Sequence, residues 1–263
     1  MTQMKSRFGP TALITGASDG IGRAFATTLA AQGFDLLLVA RRADVLAALA
    51  QDLMEQNGVT VKVISADLST PGAVSAILTQ TADTPIGLLV AAAGYGSIGP
   101  FLDLPVASEA AMVDLNCRSV VELTHGLAAR MAVRGSGGIV LFSSVVGFSG
   151  APYSTTYAAT KGFVQSFAEG LAVELRPRGI SVLSVAPGPV GTGFAARAGM
   201  QMSKAETPET VARLSLQALL SGGTVRPGVL AKLLGWGLTP LPRWARVRVL
   251  GKIMQGMSPK AKR

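Results

Sequence analysis

The sequence predicts an α/β protein with a doubly wound, mostly parallel sheet of about seven strands and helices on both faces. Three observations predict it. Short apolar runs alternate with longer helical patterns along most of the chain. The first run, Thr11–Thr15, passes through a glycine-rich turn straight into a helix. With 263 residues, 49% of them hydrophobic, and 31 glycines, the chain can bury one large core and still make tight turns.

Taken in order, TALIT at Thr11–Thr15 is the first strand, and a helix follows at Ile21–Ala31, closed by Gly33. Between them, Gly16 allows a tight turn, Gly20 lets the backbone approach a pyrophosphate, and Gly22 lets helix and strand pack closely. The free N–H groups and positive dipole end of the helix start suit an anion, so Ser18 and Ile21 belong to the same candidate site. The alternative is a plain glycine turn. Phe34–Ala40 is near-continuously apolar, as a strand buried on both faces should be. In a dinucleotide fold an acidic residue at this strand end binds the ribose 2′-hydroxyl. Here Ala40 is followed by Arg41 and Arg42, which can pair with a 2′-phosphate, and NADP(H) is favoured over NAD(H). The alternative is two solvated arginines at a helix start.

Asp44–Gln56 reads as a helix and Val59–Ser65 as the third strand, after which Asp67 and Leu68 stand where an adenine could be met. Ser69 or Thr70 caps a helix reaching about Thr81. Ile86–Ala92 is the fourth strand and leads into Ala93-Gly94-Tyr95-Gly96. Ala110–Arg134 has helical spacing, interrupted on its apolar face by Asn116, which is either a satisfied buried amide or a site residue. His125, the one histidine, and Cys117, the one cysteine, read as structural.

Gly138–Ser144 is the fifth strand and Thr155–Leu175 a long helix carrying Tyr157 and Lys161. Four residues apart, these two share a helix face. A lysine cation beside a phenol favours the phenolate and lowers its pKa from about 10. Tyr157 thereby becomes a proton donor or acceptor usable near neutral pH. Ser144, at the strand end, can hydrogen-bond the oxygen of a reacting carbonyl or alcohol. Ile180–Val185 is the sixth strand, followed by Pro187-Gly188-Pro189-Val190-Gly191-Thr192. Gly193–Glu206 reads as a lid or a long loop, and Pro208–Ser221 as a further helix.

A single cysteine excludes an internal disulfide framework and suits a reducing, cytoplasmic setting. Neither a signal peptide nor a membrane-spanning run of about 20 apolar residues is expected, and no metal-ligand cluster stands out. Ten of the 24 basic residues follow Glu209 and none of the 15 acidic ones does, so the +9 charge belongs to the tail. No nucleic-acid motif accompanies it, and no nucleic-acid partner is expected.

The chain resembles the short-chain dehydrogenase/reductase family over nearly its whole length. The family's T-G-x-x-x-G-x-G motif matches Thr15–Gly22, and its active-site Asn, Ser, Tyr and Lys match Asn116, Ser144, Tyr157 and Lys161 in order and spacing. The resemblance implies a Rossmann fold. It also implies that Lys161 binds the nicotinamide ribose, that Asn116 holds a water linking Lys161 to solvent, and that Thr15 braces the glycine turn. The nicotinamide carboxamide would meet the backbone around Pro187, Gly188 and Val190 and the hydroxyl of Thr192, while Ala93 and Gly94 would border the cofactor. Ala91-Ala92-Ala93-Gly94 departs from the family's Asn-Asn-Ala-Gly, whose lost amide normally braces the central sheet. Asp19 stands where many NADP-preferring relatives carry a basic residue. The tail is similar to that of a bacterial subgroup near hydroxysteroid and 3-ketoacyl reductases.

The expectation is an NADP(H)-dependent enzyme interconverting a ketone and a secondary alcohol. Its alternatives are a silent nucleotide-binding regulator and a family member with epimerase or dehydratase chemistry. Tyr95, Phe101, Phe148, Tyr153, Phe194 and Met200 lie on loops around the expected pocket, so a hydrophobic substrate is favoured. Residues 1–226 are expected to form the catalytic domain and 227–263 an apolar, basic extension, split into two helices by Pro240 and Pro242. That extension covers the pocket or a partner subunit, or rests on the inner membrane surface. A homodimer or homotetramer through Ala110–Arg134 and Thr155–Leu175 is implied by the family.

Overall fold

The computed structural model describes residues 3–200 and 205–258. Seven parallel strands form one sheet in the order β3-β2-β1-β4-β5-β6-β7. They are β1 (Thr11–Thr15), β2 (Asp35–Ala40), β3 (Val61–Ser65), β4 (Ile86–Ala91), β5 (Gly137–Phe142), β6 (Ile180–Val185) and β7 (Gly223–Val225). The chain winds outward on one side through β3, then returns to the centre and winds outward on the other. β1 and β4 therefore flank the point where strand order reverses, and the crevice at their carboxyl ends is where such a sheet takes a ligand.

The side-chain period of two sorts the strands into two cores. Ile14, Leu36, Leu38, Val90, Val140 and Leu183 face one layer, formed by α2 (Gly20–Ala31), α3 (Ala43–Asn57) and α9 (Pro208–Leu219). Leu13, Leu37, Leu89, Ile139, Leu141 and Val182 face the other, formed by α4 (Ala73–Gln80), α6 (Ser119–Arg134) and α7 (Thr155–Leu175). Every residue of β1, β4 and β5 is buried, which explains their unbroken apolar runs. Phe25 of α2 meets Phe142 of β5 edge to face at 5.7 Å.

Several elements differ from the sequence reading. An N-terminal helix, α1 (Gln3–Phe8), precedes β1; Phe8 is fully buried, and Arg134 donates to its carbonyl at 3.2 Å. Ser69 and Thr70 do not cap a helix. Thr70 instead closes a turn onto the Asp67 carbonyl, and α4 starts only after Gly72. The helix expected from Ala110 begins as α5 (Val106–Val113) and reaches α6 through a π-helical turn, Asp114–Arg118. Residues 193–198 form a short helix, α8 (Gly193–Ala198); Met202 lies outside the described residues. The tail forms α10 (Val229–Leu238) and α11 (Arg243–Met257), with Pro240 and Pro242 between them. Lys260, Lys262 and Arg263 lie outside the described residues. Among the described residues no helix is long and apolar enough to cross a membrane.

Candidate active site

A cleft of about 590 Å³ opens at the carboxyl ends of the central strands. Each wall starts where a strand stops. From β1 comes the glycine turn, with Gly20 at φ +52°; a Cβ there would stand 2.8 Å from Cβ of Thr192, so no side chain fits. Asp19 precedes α2 without capping it, which leaves the first-turn N–H groups free toward the cleft. From β2 come Arg41 and Arg42. Arg42 donates to the Ser18 hydroxyl at 3.0 Å and to its carbonyl at 3.1 Å. Arg41 lies 3.7 Å from the Asp67 carboxylate and is 70% exposed, so its guanidinium remains open to a further anion. Hydrogen bonds from the Ser69 hydroxyl and backbone, with Arg41 beside them, hold the Asp67 carboxyl below its ordinary range.

From β4 comes the Ala93-Gly94-Tyr95 segment. Thr15 accepts a hydrogen bond from the Ala93 N–H at 3.0 Å, so it fastens this segment to the end of β1 despite the missing amide at Ala92. Asn116 is buried in the π-helical turn. Its Nδ2 donates to the Tyr95 carbonyl at 2.9 Å and the Thr160 hydroxyl at 3.1 Å, while its Oδ1 accepts from the Tyr95 N–H at 3.3 Å. Asn116 is thus a satisfied buried amide that shapes the wall of the cleft. Cys117 next to it is buried, and burial pushes its thiol up to about 11. His125 is exposed on α6 and does not line the cleft.

From β5 comes Ser144 in extended backbone, and α7 brings Tyr157 onto the same cleft. Lys161 is buried behind them. Its ammonium donates to the Phe142 carbonyl at 2.9 Å and lies 5.6 Å from the centre of the Tyr157 ring. Loss of hydration pulls Lys161 down to about 8. Tyr157 itself corrects the expectation of a lowered pKa: burial pushes the phenol up to about 12, and the Ser144 hydroxyl offsets only part of that. The lysine cation is itself desolvated and is turned toward a backbone carbonyl, so burial dominates the phenol. Tyr157 is thus a protonated donor at neutral pH, next to a second hydroxyl.

From β6 come Pro187, Gly188, Val190 and Thr192, all on the cleft; Thr192 caps α8 by accepting from the Phe194 N–H at 3.1 Å. The expected residues Gly16, Gly22, Ile21, Leu68 and Gly94 also line it, while Thr15, Asn116 and Lys161 stand behind the wall. Of the apolar loop residues, Tyr95, Phe194 and Met200 line the cleft. Phe101 is exposed, Phe148 packs under the Arg226 guanidinium, and Tyr153, at φ +66°, does not line the cleft but packs behind it with the cluster that includes Leu250 and Met254. Their place is taken by Leu234, Leu250, Ile253, Met254 and Met257 of α10 and α11. Sequence reading also missed Arg197 of α8, which pairs with Asp19; the only available signal was a cation inside an aperiodic segment.

The residues fit a dinucleotide phosphate: an uncapped helix start, a turn with no room for side chains, and two arginines at the end of β2. They also fit a carbonyl oxygen, which could take hydrogen bonds from Ser144 and Tyr157 together. The sequence profile described as short chain dehydrogenase matches residues 10–203. An uncharacterized oxidoreductase of Bacillus subtilis is 41% identical over 70% of this chain and 76% of its own. A very-long-chain 3-oxoacyl-CoA reductase of Macaca fascicularis is 31% identical over 92% of this chain and 78% of its own. A short-chain dehydrogenase from Sphingobium yanoikuyae, solved with NADPH, superposes with a TM-score of 0.81 at 33% identity, covering 92% of this chain and 95% of its own.

Proposed function

The chain belongs to the short-chain dehydrogenase family and is an oxidoreductase, and from that premise we propose that it interconverts a hydrophobic ketone and its secondary alcohol with NADP(H) rather than NAD(H). The observation that carries this reading is the pairing of Ser144 and Tyr157 on one cleft whose far wall is apolar. Bound NADPH supplies the hydride. Ser144 orients the carbonyl oxygen. Tyr157, protonated at neutral pH, gives that oxygen its proton. Lys161 holds the ribose and the local positive charge, and Asn116 fixes the segment that borders both. Gly16, Ser18, Gly20, Ile21 and Gly22 receive the pyrophosphate; Asp67 and Leu68 receive the adenine; Ala93, Gly94, Pro187, Gly188, Val190 and Thr192 receive the nicotinamide half.

Arg41 and Arg42 support NADP(H), since neither is neutralised by a buried acid and Arg41 is mostly exposed. The lining from α10 and α11 supports a hydrophobic substrate, and the macaque relative is named for one of that character, a very-long-chain 3-oxoacyl-CoA. Residues 1–226 form the catalytic unit in this reading and 227–263 an extension that completes its pocket. Exposed Val113 and Val133 along α5 and α6, with Phe163 and Val173 on α7, support a homo-oligomer through those helices. Cys117, free and buried, suits a cytoplasmic enzyme, peripheral at the inner membrane surface where the tail carries it.

The test is oxidation of NADPH and of NADH with long-chain 3-oxoacyl thioesters, a steroid ketone and a short ketone. Turnover of a bulky ketone with NADPH preferred, and loss of that preference in Arg41→Ala/Arg42→Ala, is the expected result. Equal use of both cofactors overturns the specificity, and no turnover of any ketone overturns the activity.

A further inference from the structure

Helix α10 has the composition of a buried helix and the position of a surface one. Lys232 is its only polar side chain in VLAKLLGWGL. A surface helix carries one apolar stripe; this one carries two. The inner stripe, Ala231, Leu234 and Leu238, is spent on the fold: Ala231 is 1% exposed, Leu234 lines the cleft, and Leu238 packs with the cluster around Met254. The outer stripe, Val229, Leu233 and Trp236, follows the same helical spacing and is 73%, 64% and 75% exposed. Helix α11 repeats the division. Leu250, Met254 and Met257 face the cleft. Trp244, Arg248 and Lys252, spaced by four, lie opposite them and are exposed, with the Arg248 guanidinium 5.1 Å from the Trp244 ring.

The charge that α10 and α11 themselves carry has one sign, since no acidic residue follows Glu209; the nearby Glu206 carboxylate stands against Gly228, at the start of α10 and away from Arg248 and Lys252. A second copy docking face to face would bring cations against cations. A partner that accepts tryptophan and leucine between arginine and lysine must be apolar and anionic together, which describes a bilayer surface with acidic headgroups. We propose that the outer face of α10 and α11 docks on an anionic lipid surface. Val229, Leu233, Trp236 and Trp244 enter the boundary between headgroups and acyl chains, and Arg248 and Lys252 meet the phosphates. The inner face of the same two helices is the apolar wall of the cleft, so the substrate site stands one helix away from the lipid. This deepens the oxidoreductase reading by naming the surface on which the enzyme works, but its own observations are independent of turnover.

Trp236 and Trp244 are the chain's two tryptophans, so tryptophan emission reports this face alone. The full chain is titrated with vesicles of phosphatidylcholine and with vesicles of phosphatidylcholine mixed with phosphatidylglycerol. The expected result is a blue shift and co-sedimentation with the mixed vesicles at low salt, weakened at high salt. Leu233→Glu/Trp236→Glu lowers partitioning by at least about tenfold. Arg248→Gln and Lys252→Gln each lower it by about fivefold. All these variants keep wild-type turnover of a soluble ketone, because none of the four residues lines the cleft. If the protein turns over no ketone, lipid binding is still measured. Absence of both shift and co-sedimentation at low salt overturns the proposal, as does equal binding by the Leu233→Glu/Trp236→Glu variant. An oligomer that this variant splits, with emission already blue before lipid is added, overturns it in favour of a second copy.

Discussion

Asp19 and Arg197 stand 178 residues apart in sequence and meet as an ion pair 2.9 Å long, joining the glycine turn to α8 across the cofactor cleft. An acid at position 19 beside cofactor phosphates is unfavourable alone, and the pair neutralises it. Arg197→Ala therefore exposes the carboxylate and raises the Kd for NADPH by about threefold to fivefold, in line with a partly exposed pair. Asp19→Asn frees the guanidinium and lowers the Kd. Fluorescence titration at rising salt checks both, since each effect shrinks as screening grows. An unchanged Kd in both variants would show that the pair lies off the path of the phosphates.

Tyr157→Phe keeps the ring and removes the proton. Turnover drops by at least about a hundredfold, while the Kd for NADPH stays close to wild type. Steady-state rates alongside cofactor titration separate the two quantities, and substantial residual turnover would move the proton donor elsewhere.

Asn116→Ala removes three hydrogen bonds in a buried turn and leaves the Tyr95 backbone groups without partners. The expected loss is about 2–4 kcal/mol of stability, read from urea midpoints. A loss of activity without a loss of stability would instead place Asn116 in the chemistry.

Lys161 is drawn down to about 8 from 10.5 by burial. Between those values the unfolded chain binds a proton that the folded chain does not, so this group's contribution rises with pH across the window and is least favourable below about 8. Tyr157 acts in the opposite sense: at about 12 against an ordinary 10.0, it keeps in the fold a proton that the unfolded chain loses, so its contribution falls as pH rises from 10 toward 12. Lys161→Met is therefore more stable than wild type below pH 8, and the gap closes toward pH 10. Urea midpoints at the two pH values measure this; a gap that does not change with pH would mean the lysine is hydrated.

How far the sequence could be read depended on how local each signal was. The strands of the sheet centre were legible because their runs are buried on both faces. Ser144, Tyr157 and Lys161 were legible because a strand end and one helix turn fix their relation. Helix α1, of six residues, is too short to show a period, and its place depends on the distant partner Arg134. The π-helical turn at Asn116 depends on Tyr95 and Thr160, which sequence spacing does not connect to it. The phenol pKa was misjudged because proximity to Lys161 is visible in spacing, whereas the burial that overrides it is a property of the assembled cleft. The two faces of α10 likewise separate only once the cleft shows which of its leucines are already in use.

The order of the strands also sets the order in which the molecule can be built. β1, β2 and β3 are neighbours in both chain and sheet, so this half can assemble as soon as residues up to Ser65 have left the ribosome. The other edge of β1 pairs with β4, whose residues Ile86–Ala91 are made later. Until then the wholly buried strand at the centre of the finished sheet is an open edge, ready to pair with any passing strand. A nascent chain arrested between Ser65 and Ile86 thus presents that edge unpaired, a state in which edge-to-edge aggregation is favoured.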